Sequence, residues 1–433
     1  MRAAETSDLN KEGLTMGYTE NLIDFIGKST DCYHAVKTAK DRLDENGFTE
    51  LFEGDKWDVQ NDGKYYVIRN SSSIIAFEMP KKDFGAFMIC ASHTDSPSFK
   101  LKPDFEINAD GCIKLSVEGY GGMIMSSWLD RPLSISGRIV TAKDGKVETK
   151  LVNIDRDLLV IPSLAIHMSR DINKGYEFNI RRDMCPIASE KNGRIEDIIA
   201  ENVGVDKEEI LGFDLSLYNR MRGTVLGTDG EYFSAPRIDD LQCMYSTLEG
   251  FLNSESDDNV TVFAAFDNEE VGSGTKQGAK SSFLRDVLER ICNNSETYKR
   301  AVAKSFMLSC DNAHAVHPNF ADKSDGTNRV YMNGGIVIKY NANQRYTTDA
   351  VSEAVVKYVC KNAGVPYQMY ANRSDIPGGS TLGNLSNEKV SLNTADIGLA
   401  QLAMHSSYET AGSRDTEYMV KMIKEFYKTE IVL

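Results

Sequence analysis

An α/β domain interrupted by a β-rich insertion at about 101–233 is the architecture this 433-residue sequence predicts. Short apolar runs alternate with helical periodicity before position 101 and again after 233. Between those limits the texture changes to short alternating segments separated by turn signals. The chain also exceeds the size at which a single core usually stops growing, which favours two domains.

Residues Thr19 to Asn46 carry apolar positions at helical spacing, with Gly47 as a stop. Tyr65 to Arg69 and Ser73 to Met79 read as strands, and Phe84 to Ala91 as a buried one ending at Ser92-His93-Thr94-Asp95. In the insertion, Asp110-Gly111, Gly121-Gly122 and Lys143-Asp144-Gly145-Lys146 mark turns; the last joins Ser134–Ala142 to Val147–Asn153 as a hairpin. Ile187 to Leu217 reads as polar, partly helical connections. A helix follows over Leu241–Leu252, a strand over Val260–Ala265, a helix around Ser282–Cys292 and a strand around Ser305–Cys310. The last expected elements are strands at Ile336–Tyr340, Pro366–Tyr370 and Val390–Asn393, and helices at Thr348–Asn362 and Thr416–Tyr427. The first fifteen residues are polar and read as disordered.

Composition narrows the function classes. A formal net charge of −15 argues against nucleic acid or an anionic membrane as partner. No apolar run has the length of a membrane span, and no secretory signal pattern opens the chain. Eight scattered cysteines without a CxxC pair read as reduced thiols of a cytoplasmic protein.

The chemistry gathers at predicted strand ends. Glu269 and Glu270 follow an apolar run and precede a glycine-rich bend. Burying a carboxylate costs several kcal/mol without compensation, so the pair implies a metal, a shared proton or a surface position. His93 and Asp95 close another apolar run, where open α/β sheets collect ligands. Asp311 stands at a third strand end, with His314 and His317 after it. His405 follows apolar residues, and Asp239-Asp240 precedes a helix, where N-capping is the plainer role. His34 reads as structural. Separately each is ambiguous; together they supply a bridging carboxylate, imidazoles and acids, which a two-metal hydrolytic site requires. Such donors without thiolate suit zinc, with manganese or cobalt as alternatives.

The order of motifs resembles the aspartyl aminopeptidases, a two-metal zinc metallopeptidase family, from about residue 20 onward. The matching segments include Ser92-His93-Thr94-Asp95-Ser96-Pro97, Trp128-Leu129-Asp130-Arg131, Leu164-Ala165-Ile166-His167 and Pro236-Arg237-Ile238-Asp239. They continue through Asp267-Asn268-Glu269-Glu270-Val271-Gly272-Ser273, Asp311 to Asn319, Asn343-Gln344-Arg345-Tyr346 and Gln401 to Ser406. The resemblance implies a zinc-peptidase-type mixed sheet flanked by helices, formed by 1–100 and 234–433, with 101–233 as an inserted β-rich dimerisation domain. It implies metal ligands His93, Asp239, Glu270, Asp311 and His405, with Asp239 bridging. Glu269 would be the general base and Asp95 the acid behind His93; His167, His314, Lys339 and Tyr346 would face the substrate.

The implied partners are peptides, and the implied assembly is a homo-oligomer, a tetrahedral dodecamer built from dimers, in which His167 reaches a neighbour's site. The implied reaction is removal of an N-terminal residue, Asp or Glu preferred, by a hydroxide shared between metals about 3.5–4 Å apart. Neutral or broad specificity is the alternative, and another two-metal amidohydrolase a more distant one. The chain departs from the family pattern at Asp240, usually asparagine, at Leu129 and Asn312, and at Ser407-Tyr408. The family's bond after the bridging aspartate is typically a cis non-proline peptide.

Overall fold

The computed structural model describes residues 17–190, 193–254, 258–292, 294–376, 378–379 and 381–431. The expectation of disorder over 1–15 lies outside those residues. Three sheets organise the described residues.

The largest sheet has nine strands, in the order Thr49–Glu50, Lys64–Arg69, Ser73–Glu78, Val260–Phe266, Phe87–His93, Phe306–Cys310, Asn393–Gly398, Ile336–Tyr340 and Tyr367–Ala371. At its centre Phe87–His93 pairs in parallel with both Val260–Phe266 and Phe306–Cys310, while Ser73–Glu78 joins Val260–Phe266 antiparallel. Helices Tyr18–Lys28, Ile238–Leu252 and Asp415–Lys428 contribute to the core on one face. Helices Phe283–Ile291 and Ser295–Lys304 contribute to the core on the other. Every residue of the strands Phe87–His93, Val260–Phe266 and Phe306–Cys310 is buried. That burial explains why these segments read as continuous apolar runs instead of alternating ones.

A six-stranded antiparallel sheet runs Lys146–Asn153, Leu133–Lys143, Ile210–Asn219, Ser98–Ala109, Cys112–Tyr120, Ile187–Glu190. It has its own core around Phe99, Trp128, Leu133 and Leu215, closed by the helix Ile195–Val203. The third sheet joins Thr224–Leu226 and Tyr232–Ala235 to Glu409–Gly412, Ala400–Leu402 and Ala313–His314. Among the described residues no helix is long and apolar enough to cross a membrane. All eight cysteines are free thiols.

The first helical stretch comprises Tyr18–Lys28 and a second helix, Cys32–Glu45, which holds His34; Asp31 caps the second by accepting from the amides of Tyr33 (2.8 Å) and His34 (3.0 Å). His34 Nδ1 lies 2.7 Å from the same Asp31 carboxylate, a local structural role. The connection expected over 187–217 ends in a full strand, Ile210–Asn219, whose alternation of Leu215 and Leu217 with Asp214 and Ser216 is the half-buried pattern. The strand expected at Val390–Asn393 runs instead over Asn393–Gly398. Its buried Asp396 disguises it, and is satisfied by Thr347 and Thr381.

Candidate metal centre

The loops leaving the carboxyl ends of the central parallel strands converge on one cleft. His93 ends its strand; Asp311 directly follows Phe306–Cys310. Glu269 and Glu270 sit on a short 3-10 turn, Glu269–Val271, reached through Asn268 in left-handed conformation, not on the strand itself. His405 lies in the turn between Ala400–Leu402 and Glu409–Gly412, with φ of 66°. Asp239 opens the helix Ile238–Leu252 in extended backbone, and the Asp239–Asp240 peptide is cis. The helix carries no side-chain cap bond, and the Asp239 side chain lines the cleft.

The donor atoms crowd together. Ligand atoms of His93, Asp239, Asp240 and Asp311 lie within 4.8 Å of one another, as do those of Asp239, Glu270 and His405. Asp239 belongs to both groups. One of its oxygens is 3.4 Å from His93 Nε2 and the other 3.4 Å from His405 Nε2. Glu270 Oε1 is also 3.4 Å from His405 Nε2.

A cation fits this donor set. Asp239 Oδ1, Asp240 Oδ1 and Glu270 Oε1 are buried without a hydrogen-bond partner, a costly arrangement unless positive charge compensates it. The electrostatics agree. Burial pushes the Asp239 carboxyl up, but His405 and His93 outweigh it and hold the group well below the usual range. Burial lifts Glu269 to about 8 and, with Asp239 alongside, lifts Glu270 well above a normal carboxyl. Burial pulls His405 down, but Asp239 overrides it and raises the imidazole to about 9. Too many acids share too few cations. Imidazole and carboxylate donors of this kind suit zinc.

A second layer holds the donors in place. Glu409 accepts from the amides of Asp239 (3.1 Å) and His405 (2.7 Å). The Asp95 carboxylate accepts from the amides of Glu269 (3.1 Å) and Glu270 (3.2 Å), while its backbone carbonyl lies 3.0 Å from His93 Nδ1. Asp95 thus serves the glutamate turn as well as the imidazole. Asp240 accepts from the His93 amide at 3.0 Å. Asn312 donates to Gln242 (2.9 Å) and to the Leu399 carbonyl (3.2 Å), so it is satisfied.

His314, Lys339 and Tyr346 line the cleft, which has a volume of about 180 Å³. Lys339 Nζ donates to the Asn312 carbonyl (2.8 Å), stands 3.5 Å from Asp311 and lies 5.5 Å from the Tyr346 ring centre. Burial works against its charge, but Asp311 keeps the ammonium protonated by raising its pKa. His167 is not in the lining; it is exposed on a turn beside exposed Leu164, Ile166 and Met168. Sequence reasoning gave Glu409 no role, although it follows His405 by four residues.

A mixed α/β sheet with imidazoles, acids and a buried lysine at its strand ends defines a metal-dependent hydrolase. The chain belongs to the family described as aminopeptidase I zinc metalloprotease (M18), which it matches over residues 25–427. It is 45% identical over 428 residues to a probable M18 family aminopeptidase 2 of Clostridium acetobutylicum, covering 95% of this chain and 98% of that one. A protein of the same description from Pseudomonas savastanoi is 37% identical over 416 residues, covering 94% and 97%. Among solved structures, one described as a complex of Ape4 and Nbr1 superposes with a TM-score of 0.92 at 35% identity, covering 95% of this chain and 85% of that one. A yeast mApe1 dodecamer superposes at 0.83 with 29% identity, covering 94% and 96%. The chain is accordingly a zinc-dependent aminopeptidase, a peptide hydrolase.

Proposed function

We propose that this aminopeptidase removes N-terminal Asp or Glu from peptides, using two divalent cations. His93, Asp239 and Asp311 would hold one; Asp239, Glu270 and His405 the other. The observation that carries this reading is Asp239, whose two oxygens face different imidazoles at 3.4 Å each. Bound there, the cations supply charge stabilisation for the peptide carbonyl and bring the pKa of water down towards about 7.

The chain's own residues do the rest. Glu269 accepts the proton of the attacking water and delivers it to the departing amine. Asp95 keeps that carboxylate in place through the Glu269 amide. Carboxylates around the cleft receive the substrate's free ammonium, which limits cleavage to the first residue. Lys339 faces the cleft beside Tyr346, placed to pair with an acidic side chain. A second reading, neutral or broad specificity, draws support from the same lysine, whose ammonium already engages the Asn312 carbonyl and Asp311.

His167 would act in a neighbouring subunit, donating to the oxyanion. Its exposure among Leu164, Ile166 and Met168, and the dodecameric assembly of the related mApe1, support a homo-oligomer of this chain, which would be a tetrahedral dodecamer built from dimers. In that assembly the β-rich unit at about 101–233, whose six-stranded sheet begins with Ser98–Ala109, would be the dimerisation domain, and 17–100 with 234–431 the catalytic one. The free cysteines suit a reducing, cytoplasmic setting. Hydrolysis of Asp-, Glu- and Leu-chromogenic amides, with and without zinc or manganese, tests the proposal. Faster turnover of the acidic amides supports it; equal or faster turnover of Leu supports the second reading. No turnover of any amide by metal-loaded protein overturns both.

A further inference from the structure

The six-stranded sheet sends the segment Tyr120 to Ser127, from the last residue of its strand Cys112–Tyr120 onward, to the candidate metal centre. The Tyr120 hydroxyl donates to Asp95 Oδ2 at 2.6 Å and accepts from Asn268 Nδ2 at 2.8 Å. Those two bonds grip the loop before the glutamates from both sides, since the same Asp95 carboxylate receives the Glu269 and Glu270 amides. One residue on, Gly121 has φ of +72°, and a Cβ there would sit 3.2 Å from Glu270 Cβ and 3.4 Å from Pro97 Cγ. A side chain at 121 would therefore press on the glutamate.

The segment then turns to the opposite wall. The Gly122 carbonyl lies 2.5 Å from His405 Nδ1, and the Ile124 amide donates to the His405 carbonyl at 3.0 Å. Ser127 accepts two bonds from Ser407, its hydroxyl oxygen from the amide at 2.8 Å and its carbonyl from the hydroxyl at 2.5 Å. A carbonyl can only accept, so Nδ1 donates to Gly122, and Nε2 is the nitrogen that faces Asp239 and Glu270.

We infer that Tyr120 to Ser127 is the positioning shell of the metal centre, in which Tyr120 aligns the Glu269–Glu270 turn through Asp95 and Gly122 fixes the ring of His405. The unit outside the nine-stranded sheet is then part of the catalytic apparatus within its own chain. Tyr120 touches neither metal nor substrate; it is a positioning residue. The inference rests on the site reading given above.

The test is Tyr120→Phe, which keeps the ring and removes only the hydroxyl. Outer-shell partners of metal sites typically change metal affinity or activity by about 10–100-fold. We expect kcat to fall by that factor with KM within about twofold, and zinc affinity of the metal-stripped protein, read by chelator competition, to weaken by a similar factor. Gly121→Ala should also weaken zinc affinity. Lys100→Met removes the ammonium 4.1 Å above the Tyr120 ring without touching the hydroxyl, and should leave both readouts as in the unaltered protein. Thermal unfolding of each variant separates positioning from loss of fold. Unchanged kcat and unchanged zinc affinity in Tyr120→Phe would overturn the inference, as would losses that track only a lowered melting temperature. Zinc affinity does not depend on the substrate. If the unaltered protein hydrolyses no amide while Tyr120→Phe weakens zinc, the functional reading fails and the positioning claim stands.

Discussion

Substituting each member of the Glu269-Glu270 pair by glutamine separates two jobs that neighbouring carboxylates perform. Glutamine preserves size and removes the negative charge. Glu270 Oε1 is buried, lacks a hydrogen-bond partner and lies 3.4 Å from His405 Nε2. It shares donor groups with both His93 and with Asp239 and His405. Glu269 belongs to only one of those groups, with His93 and Glu270. Glu270→Gln should therefore cost more zinc affinity than the roughly 10–100-fold typical of an outer-shell change. Glu269→Gln should keep zinc within a few-fold and lose about 10²–10⁴ in kcat, the usual contribution of a positioned acid-base group. At about 1.36 kcal/mol per decade that is roughly 3–5 kcal/mol of barrier. Chelator competition gives the affinities, and turnover of Asp-amide at saturating zinc gives the rates. Equal zinc loss in the two variants, or full turnover in Glu269→Gln, would refute the division of labour.

Three further outcomes can be checked directly. Lys339→Ala should lose about 10–100-fold on Asp-amide, the worth of a charge-assisted hydrogen bond, and much less on Leu-amide; equal losses would sink the acidic-pocket assignment. His167→Ala should lower turnover by about 10²–10³ without weakening zinc, and mixed oligomers with Glu269→Gln should regain activity; no regain would place His167 outside its neighbour's site. Metal binding should release protons and tighten as pH rises towards about 9, because, against burial, Asp239 raises the His405 imidazole to about 9 in the metal-free protein. The imidazolium must lose its Nε2 proton to admit the cation and less of it is protonated as pH rises, so affinity climbs with pH. Calorimetry in buffers of differing ionisation enthalpy reads the release; none would contradict the electrostatic picture.

The central strands were legible because both faces of the sheet are buried, which turns Val260–Phe266 and Phe306–Cys310 into unbroken apolar runs. The donor residues stood out as acids and histidines directly after such runs. What escaped acts across long sequence separation. Asp95 holds an amide 174 residues away, Glu409 one 170 away, and Tyr120 belongs to a different sheet from the residues it fixes. Nothing local marks a side chain whose partner is a distant backbone amide. Asp396 hid a central strand because a buried acid is legible only once Thr347 and Thr381 are seen to satisfy it.

Bridging by Asp239 is the centre of this account, and metal stoichiometry tests it most directly. Metal-stripped protein titrated with zinc, with bound metal counted per chain and Asp-amide hydrolysis followed in parallel, should bind about two equivalents, with turnover appearing as the second site fills. Asp239→Asn should fail to hold both ions. Saturation at a single equivalent with full turnover, or two ions retained in Asp239→Asn, would contradict a shared carboxylate.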